Sequence, residues 1–164
     1  MKDNPSSKAN SRPPCHRPAI QDDFAGDHAV CYGCGRSNPH GLHIRTHWDG
    51  KIGTFKFTPE DYHTAFPGIV YGGLIASLFD CHCIGTAIAA AYDAEDRKPG
   101  TQPAIMFVTA NLNVNFVRPT PMDRELTLNA HIVEAKGRKR VVACTLVTNA
   151  VECANATVVA IRVS

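Results

Sequence analysis

The sequence lacks a strong charge of either sign, and this limits the classes of partner. Lysine and arginine together number 17 against 15 acidic residues, for a formal net charge of +2. Proteins that bind nucleic acids or membrane surfaces usually carry a larger positive excess. We therefore expect neither a nucleic acid nor a membrane among its partners.

Long uninterrupted apolar runs are also missing. The proline-containing stretch at 1–18 has no apolar core of the kind found in a signal peptide, so we expect residues 1–30 to form a disordered or extended tail. The most apolar later segment, 74–91, is interrupted by Asp80 and His82, and we do not expect it to cross a bilayer. The remaining residues, 31–164, are expected to form a single domain.

A regular cysteine pattern is absent as well. The seven cysteines are odd in number and irregularly spaced, which does not suit a disulfide framework. A reducing compartment is the simplest interpretation, and we expect a cytoplasmic location.

The pattern that is present predicts strands around one helix. Alternating apolar residues predict strands at 42–46, 51–58, 104–117, 125–134, 141–148 and 151–163. Residues 72–92 predict a single helix that is apolar on nearly every side and therefore buried. This order predicts an α+β domain in which an antiparallel sheet wraps around one long central helix.

The start of that helix has the features of a site. Gly72 and Gly73 offer backbone N–H groups to an incoming oxygen, and Asp80 is a carboxylate that is costly to bury without a purpose. Gly73 and Asp80 share a helix face but lie about 10 Å apart along the axis, too far to act on one carbonyl carbon. The spacing predicts a homodimer in which the helix start of one copy faces Asp80 of the other. The alternative is a glycine turn with an acid satisfied by local hydrogen bonds.

The helix start and three other segments of the sequence together resemble one protein family. The run FPGIVYGGLIASLFD at 66–80 resembles a motif of hotdog-fold acyl-CoA thioesterases, of the phenylacetate-pathway and human thioesterase-superfamily-member type. CYGCG at 31–35, NPHGL at 38–42 and NVNFVRP at 113–119 extend the resemblance over about residues 31–163. It implies the hotdog fold, assembly as a homodimer or homotetramer, and hydrolysis of an acyl-CoA thioester to a carboxylic acid and free coenzyme A.

The resemblance also implies roles for single residues. Gly72 or Gly73 holds the thioester oxygen, Asp80 acts as general base or nucleophile from the partner chain, and Thr109 helps to place water. Tyr71 stands where the family usually has histidine, and Ala65 stands where some members have an amide side chain. A phenol donates a hydrogen bond but is no base near neutral pH, so the placement of the substrate carbonyl departs from the family pattern.

Other side chains are expected to contact the substrate. Around the helix start these are Tyr71, His63, Val70 and Ser77. In the basic run 136–140, Arg138 and Lys139 suit the phosphates of coenzyme A, although a solvated hairpin tip is the alternative.

A zinc site is a second interpretation of the Cys31-x-x-Cys34 pair, with His40, His43 and His47 nearby. The second cysteine pair of such sites is missing, so a turn is preferred and no metal is expected. We expect no cofactor beyond the coenzyme A that is part of the substrate. His82 follows Cys81 directly and cannot face it on a helix, so we expect a core or interface histidine.

Two other functions remain open on the same fold. One is an acyl-CoA hydratase or dehydratase, although Tyr71 and the lack of an Asp-x-Asn-x-x-His pattern speak against it. The other is a non-catalytic acyl-CoA-binding protein, which Tyr71 and Ala65 leave possible.

Overall fold

One long helix and eight strands make up the fold over the described part of the chain. The computed structural model describes residues 18–164. Helix α1 spans Gly72–Ala94. The strands are β1 His47–Trp48, β2 Gly53–Phe57, β3 Thr64–Phe66, β4 Ile69–Val70, β5 Phe107–Phe116, β6 Leu126–Lys136, β7 Lys139–Thr148 and β8 Val151–Arg162.

Six of these strands form one antiparallel sheet that packs against α1. Its order is β1-β2-β6-β7-β8-β5, and β3 pairs with β4 in a separate small hairpin. Core side chains from α1, such as Leu78, Phe79 and Ile88, meet inward-facing residues of the sheet, such as Leu128 and Val158. The predicted architecture, an antiparallel sheet around one long helix, is confirmed.

Helix α1 is apolar on all sides and mostly covered. By length and composition it could cross a membrane, but 67% of its most apolar window is buried inside the fold, as expected for a core helix. One stripe is only half-buried, and it recurs at the spacing of a single helix face. Its members are Gly73, Ala76, Ser77, Asp80, Cys81 and Ile84.

The predicted N-terminal tail is too long. Its first part, residues 1–17, lies outside the described residues, but 18–30 folds against the domain. Short 3-10 helices form at Ile20–Asp23 and Gly26–Ala29, and Ala19, Ile20 and Gln21 are buried. The backbone N–H of Ile20 donates to the carbonyl of Thr46 at 2.9 Å, which attaches this segment to the chain before β1.

The prediction of a strand at 42–46 is wrong, although the alternating burial on which it rested is present. Ile44 and Thr46 are fully buried while His43 and Arg45 are exposed, as the alternation predicts. His43 has a φ of 51°, which interrupts the extended backbone. Pairing with β2 therefore begins only at β1, His47–Trp48. The segment 60–70, where no strand was predicted, contains the β3–β4 hairpin.

A buried polar network joins the N-terminal segment to α1. The Thr46 hydroxyl accepts from Gln21 Nε2 at 3.1 Å and lies 3.0 Å from His82 Nδ1. His82 Nε2 lies 3.2 Å from the Gly53 carbonyl, so Nε2 carries the proton and Nδ1 accepts from Thr46. Burial lowers the pKa of His82 to about 4, so the ring is neutral at pH 7. The prediction of a core histidine is confirmed.

Candidate active site

The Asp80 carboxylate is half-buried at one side of α1 and is held by the neighbouring strand. The Thr109 hydroxyl on β5 donates to Asp80 Oδ1. The Thr109 hydroxyl can reach Asp80 because the Thr109 side chain points to the helix side of the sheet. Its pairing partner Ala160 points to the same side and is fully buried. This hydrogen bond fixes the direction of the carboxylate and leaves its second oxygen for a substrate or water.

The two glycines form the first turn of α1. Tyr71 is the N-cap, and the first helical hydrogen bonds run from the amides of Leu74 and Ile75 to the Tyr71 carbonyl. Within residues 18–164, the amides of Gly72 and Gly73 have no acceptor. They are the unsatisfied donors expected at a helix N-terminus, where the helix dipole also favours negative charge.

Two exposed aromatic rings flank these amides. The Tyr71 ring folds back over Gly73, where an added Cβ would come within 2.4 Å of a ring carbon. A Cβ on Gly72 would lie 3.4 Å from the Phe116 ring, an ordinary contact. Tyr71 and Phe116 are each 58% exposed. The helix start is therefore open on a surface that carries two uncovered aromatic side chains.

The structure does not place all the predicted substrate contacts at an open site. Val70 is buried in the core, so its predicted contact with substrate is wrong. The Ser77 hydroxyl donates to the Gly73 carbonyl at 3.0 Å, which commits it to the helix.

His63 touches the helix start through its backbone only. Its carbonyl accepts from the Tyr71 amide at 2.9 Å, while its Nδ1 accepts from the Glu60 amide at 2.9 Å. Burial lowers the pKa of His63. The ring packs against Tyr62 and Phe57 and lines a separate hollow that contains neither Gly72 nor Asp80.

The basic hairpin between β6 and β7 lies at the same end of the sheet as Thr109. Lys139 pairs with Ile161, which pairs with Val108, whereas Arg140 and Thr109 share the partner Ala160. Arg140 therefore faces the helix side with Thr109, about 10 Å away across two strand spacings. Lys139 lies on the other face, and the Arg138 Nε donates to the Arg162 carbonyl.

Arg140 is the member of the predicted basic run 136–140 whose side chain faces the helix side of the sheet, whereas the residues singled out from the sequence were Arg138 and Lys139. Its guanidinium lies 5.8 Å from the centre of the Phe107 ring and donates to the carbonyls of Gly137 and Lys139. The signal was present, because Arg140 is in phase with the buried Val142 and Cys144 along β7.

Asp80 and Thr109 open onto a cleft of about 410 Å³ between α1, β5 and the N-terminal segment. Its apolar wall includes Ile84, Ile88, Met106 and Val108, and its other wall carries three thiols, those of Cys31, Cys34 and Cys81. The contact between Cys81 and Cys31 was not predicted from the sequence, because it joins segments 50 residues apart.

The thiols of this wall interact with one another. Cys31 Sγ and Cys81 Sγ lie 3.8 Å apart. A hydrogen bond from Cys81 lowers the pKa of Cys34, and the same contact raises the pKa of Cys81. The predicted turn at 31–35 is present, with the Gly35 amide donating to the Cys31 carbonyl at 2.8 Å. The nearby histidines that the zinc interpretation considered are not part of this cluster.

Comparison with known proteins gives sequence relatives and structural neighbours. Acyl-coenzyme A thioesterase THEM4 of Bos taurus is 28% identical over 99 residues, which is 58% of this chain and 34% of that protein. The Rattus norvegicus protein of the same name is 31% identical over 80 residues, 49% of this chain and 29% of its own length. This chain thus spans about a third of the length of these curated relatives.

Solved structures match over more of the chain. A thioesterase superfamily protein from Shewanella loihica PV-4 is 43% identical, with a TM-score of 0.60, over 77% of this chain and 96% of that one. A Streptococcus mutans UA159 protein bound to acetyl CoA has a TM-score of 0.57 at 16% identity, over 74% and 89% of the two chains, which shows the fold alone.

The family profile agrees with these neighbours. Residues 67–153 match the Thioesterase superfamily, a range that contains the glycine pair, Asp80 and Thr109. The hotdog fold implied by the sequence is confirmed. The chain therefore belongs to the thioesterase superfamily.

Proposed function

We propose that this protein is an acyl-CoA thioesterase whose acid is Asp80. The observation that carries the proposal is the Asp80 carboxylate, held by Thr109 at an open cleft in a member of this superfamily. The names of the sequence relatives support acyl-CoA as the substrate class.

The reaction needs an attacking oxygen and a stabilised oxyanion. With Asp80 as general base, water loses a proton to the carboxylate and adds to the thioester carbon. The C–S bond then breaks, and the coenzyme A thiolate takes up a proton. With Asp80 as nucleophile, its oxygen adds to the thioester carbon, the C–S bond breaks to release the coenzyme A thiolate, which takes up a proton, and water then hydrolyses the anhydride to the carboxylic acid and free Asp80. In both routes the amides of Gly72 and Gly73 stabilise the oxyanion.

A second copy of the chain brings these two groups together. Within residues 18–164, strand β5 is the long edge of the sheet and has no strand paired to its outer side, and Val108 and Phe116 are exposed. Such an edge readily pairs with another strand. The half-buried stripe of α1 provides a further surface for a second copy, so we propose a homodimer formed through β5 and this stripe.

The ends of β5 explain how such a dimer completes the site. Asp80 contacts Thr109 near one end of β5, and the helix start lies beside Phe116 at the other. Antiparallel pairing about a two-fold axis between Leu112 and Asn113 sets Thr109 opposite Phe116 of the partner subunit. Each Asp80 then faces the helix start of the other copy.

Arg140 is our candidate for the phosphates of coenzyme A. It faces the same side of the sheet as Thr109, and its planar fork suits phosphate oxygens. Arg138 and Lys139 belong to the same β6–β7 hairpin as Arg140 and add positive charge at that end of the sheet.

The proposal is tested by assaying a panel of acyl-CoAs with the native chain and with Asp80→Asn. We expect kcat to fall by about 100-fold or more, because the variant loses its base or nucleophile but keeps its shape. Asp123→Asn, at an exposed turn, is the matched control and should retain activity. Equal turnover by the native chain and Asp80→Asn would exclude this mechanism. Binding without turnover by the native chain would favour the non-catalytic alternative.

A further inference from the structure

We propose that Cys31, Cys34 and Cys81 form a binding site for one Zn²⁺ ion. Two distant parts of the chain build it: a loop supplies Cys31 and Cys34, and helix α1 supplies Cys81. The three sulfur atoms lie within 4.8 Å of one another. Thiolates at such distances are ligands that zinc prefers.

The sulfur separation fits a tetrahedral ion. A Zn–S bond of about 2.3 Å implies sulfur atoms about 3.8 Å apart at neighbouring corners of a tetrahedron. Cys31 Sγ and Cys81 Sγ are 3.8 Å apart, which is this spacing and much longer than a disulfide bond. All three thiols are free.

The backbone of the loop is shaped to bring the thiols together. A Cβ added to Gly33 would lie 2.3 Å from Cys81 Sγ, so only glycine allows the loop to rest on the helix thiol. A Cβ on Gly35 would lie 2.4 Å from the Cys31 amide nitrogen. The C-x-x-C spacing followed by glycine thus forms a tight turn that presents two thiols to a third.

The cluster has both an entry path and room for a fourth ligand. Cys31 is exposed, Cys34 and Cys81 are half-buried, and all three line the open cleft. Three protein ligands with water in the fourth position are a common zinc arrangement. Binding displaces the thiol protons to solvent, and the ion then ties the loop to α1 directly beside Asp80.

The metal content of the untagged full chain tests this site. The protein is reduced and loaded with ZnCl₂, and unbound zinc is removed in the absence of oxygen. The zinc content is then measured by elemental mass spectrometry. We expect one zinc per chain. Cys34→Ser and Cys81→Ser should each weaken binding by roughly 100-fold or more, since even changes outside the ligand shell cost 10–100-fold. Cys153→Ala, a buried cysteine outside the cluster, should keep the ion.

Two further measurements separate loss of a ligand from loss of the fold. Circular dichroism should show the same secondary structure for the serine variants as for the native chain. Zinc should raise the Tm of the native chain and of Cys153→Ala but not that of Cys81→Ser. With Co²⁺ as the probe, the native chain should give sulfur-to-cobalt charge-transfer absorption.

Several results would overturn the site. These are zinc content near zero in the native chain, equal content in the native and Cys81→Ser chains, copper in place of zinc, or a disulfide that persists under reducing conditions. Metal content does not depend on turnover, so its outcome is independent of the proposed thioesterase activity.

Discussion

A single hydroxyl decides where the Asp80 carboxylate points. The Thr109 side chain lies on β5 and donates to Asp80 on α1, so the contact forms only when the strand packs against the helix. A hydrogen bond to a charged group contributes about 1.5–3 kcal/mol, enough to hold one rotamer in preference to others. In the proposed reaction, Thr109 is therefore a positioning residue for the acid.

Removing that hydroxyl should slow the reaction more than it weakens substrate binding. For Thr109→Val we expect kcat to fall by about 10- to 100-fold, with little change in KM, because the lost bond orients the acid. Steady-state kinetics on a cleaved acyl-CoA measures both constants. Thr109→Ser keeps the hydroxyl and should retain most of the activity. Native kinetics in Thr109→Val would show that the contact plays no part in catalysis.

Single residues show what the sequence could and could not predict. The roles proposed for Asp80, the glycine pair and Thr109 were predicted from motifs that are contiguous or matched by resemblance. Val70 was misplaced because its strand turns the side chain into the core. Cys81 was missed as a partner of Cys31 because only the folded chain brings the loop onto the helix.

At the scale of elements, the N-terminal segment is part of the domain and not an appendage. Gln21, Thr46 and His82 come from three separate segments and share one buried chain of hydrogen bonds. Gly85 makes room for it, since a Cβ there would lie 2.6 Å from both Gln21 Nε2 and the Thr46 hydroxyl. Polar composition suggested a tail because pattern analysis does not reveal such pairings.

Breaking this network should destabilise the fold. Thr46→Val leaves His82 Nδ1 and the Gln21 amide without a partner, and unpaired buried groups cost about 1–3 kcal/mol each. We expect the free energy of unfolding to fall by about 3 kcal/mol in urea denaturation. Thr46→Ser keeps the hydroxyl and should lose about 1 kcal/mol or less. A valine variant as stable as the serine variant would contradict this account.

At the scale of the whole molecule, the proposed dimer divides each reaction centre between two chains. The separation of Gly73 and Asp80 on one helix was readable from the sequence, because a helix has a fixed rise. The surface proposed to join the copies could not be predicted from the sequence. The strand at the edge of the sheet is set by the order of the strands in space, which the sequence pattern does not reveal.

Mixing two inactive variants should restore activity if the centre is shared. Gly72→Pro removes one amide donor at the first helical position, where proline is tolerated, and Gly72→Ala retains the donor as the matched control. Asp80→Asn and Gly72→Pro are refolded together in equal amounts. Half of the dimers should contain one copy of each variant. Each of these mixed dimers has one intact centre out of two, so the sample should show about one quarter of native activity.

The same mixture has a clear contrary result. If each chain holds a complete centre, the mixed sample stays as inactive as its components. If Gly72→Pro alone retains native activity, the Gly72 amide is not a donor to the oxyanion. Circular dichroism and native mass measurements on each variant confirm that the chains fold and associate.

The exposed edge of β5 also bears on how the activity depends on protein concentration. In the proposed dimer, a chain without a second copy has Asp80 but no partner amides facing it, so dilution below the dimer dissociation constant should remove turnover per chain as well as total turnover. In that range, doubling the number of chains would more than double the flux through the reaction. If the copies pair as proposed, an exposed strand edge thereby makes the activity of the protein depend steeply on its own concentration.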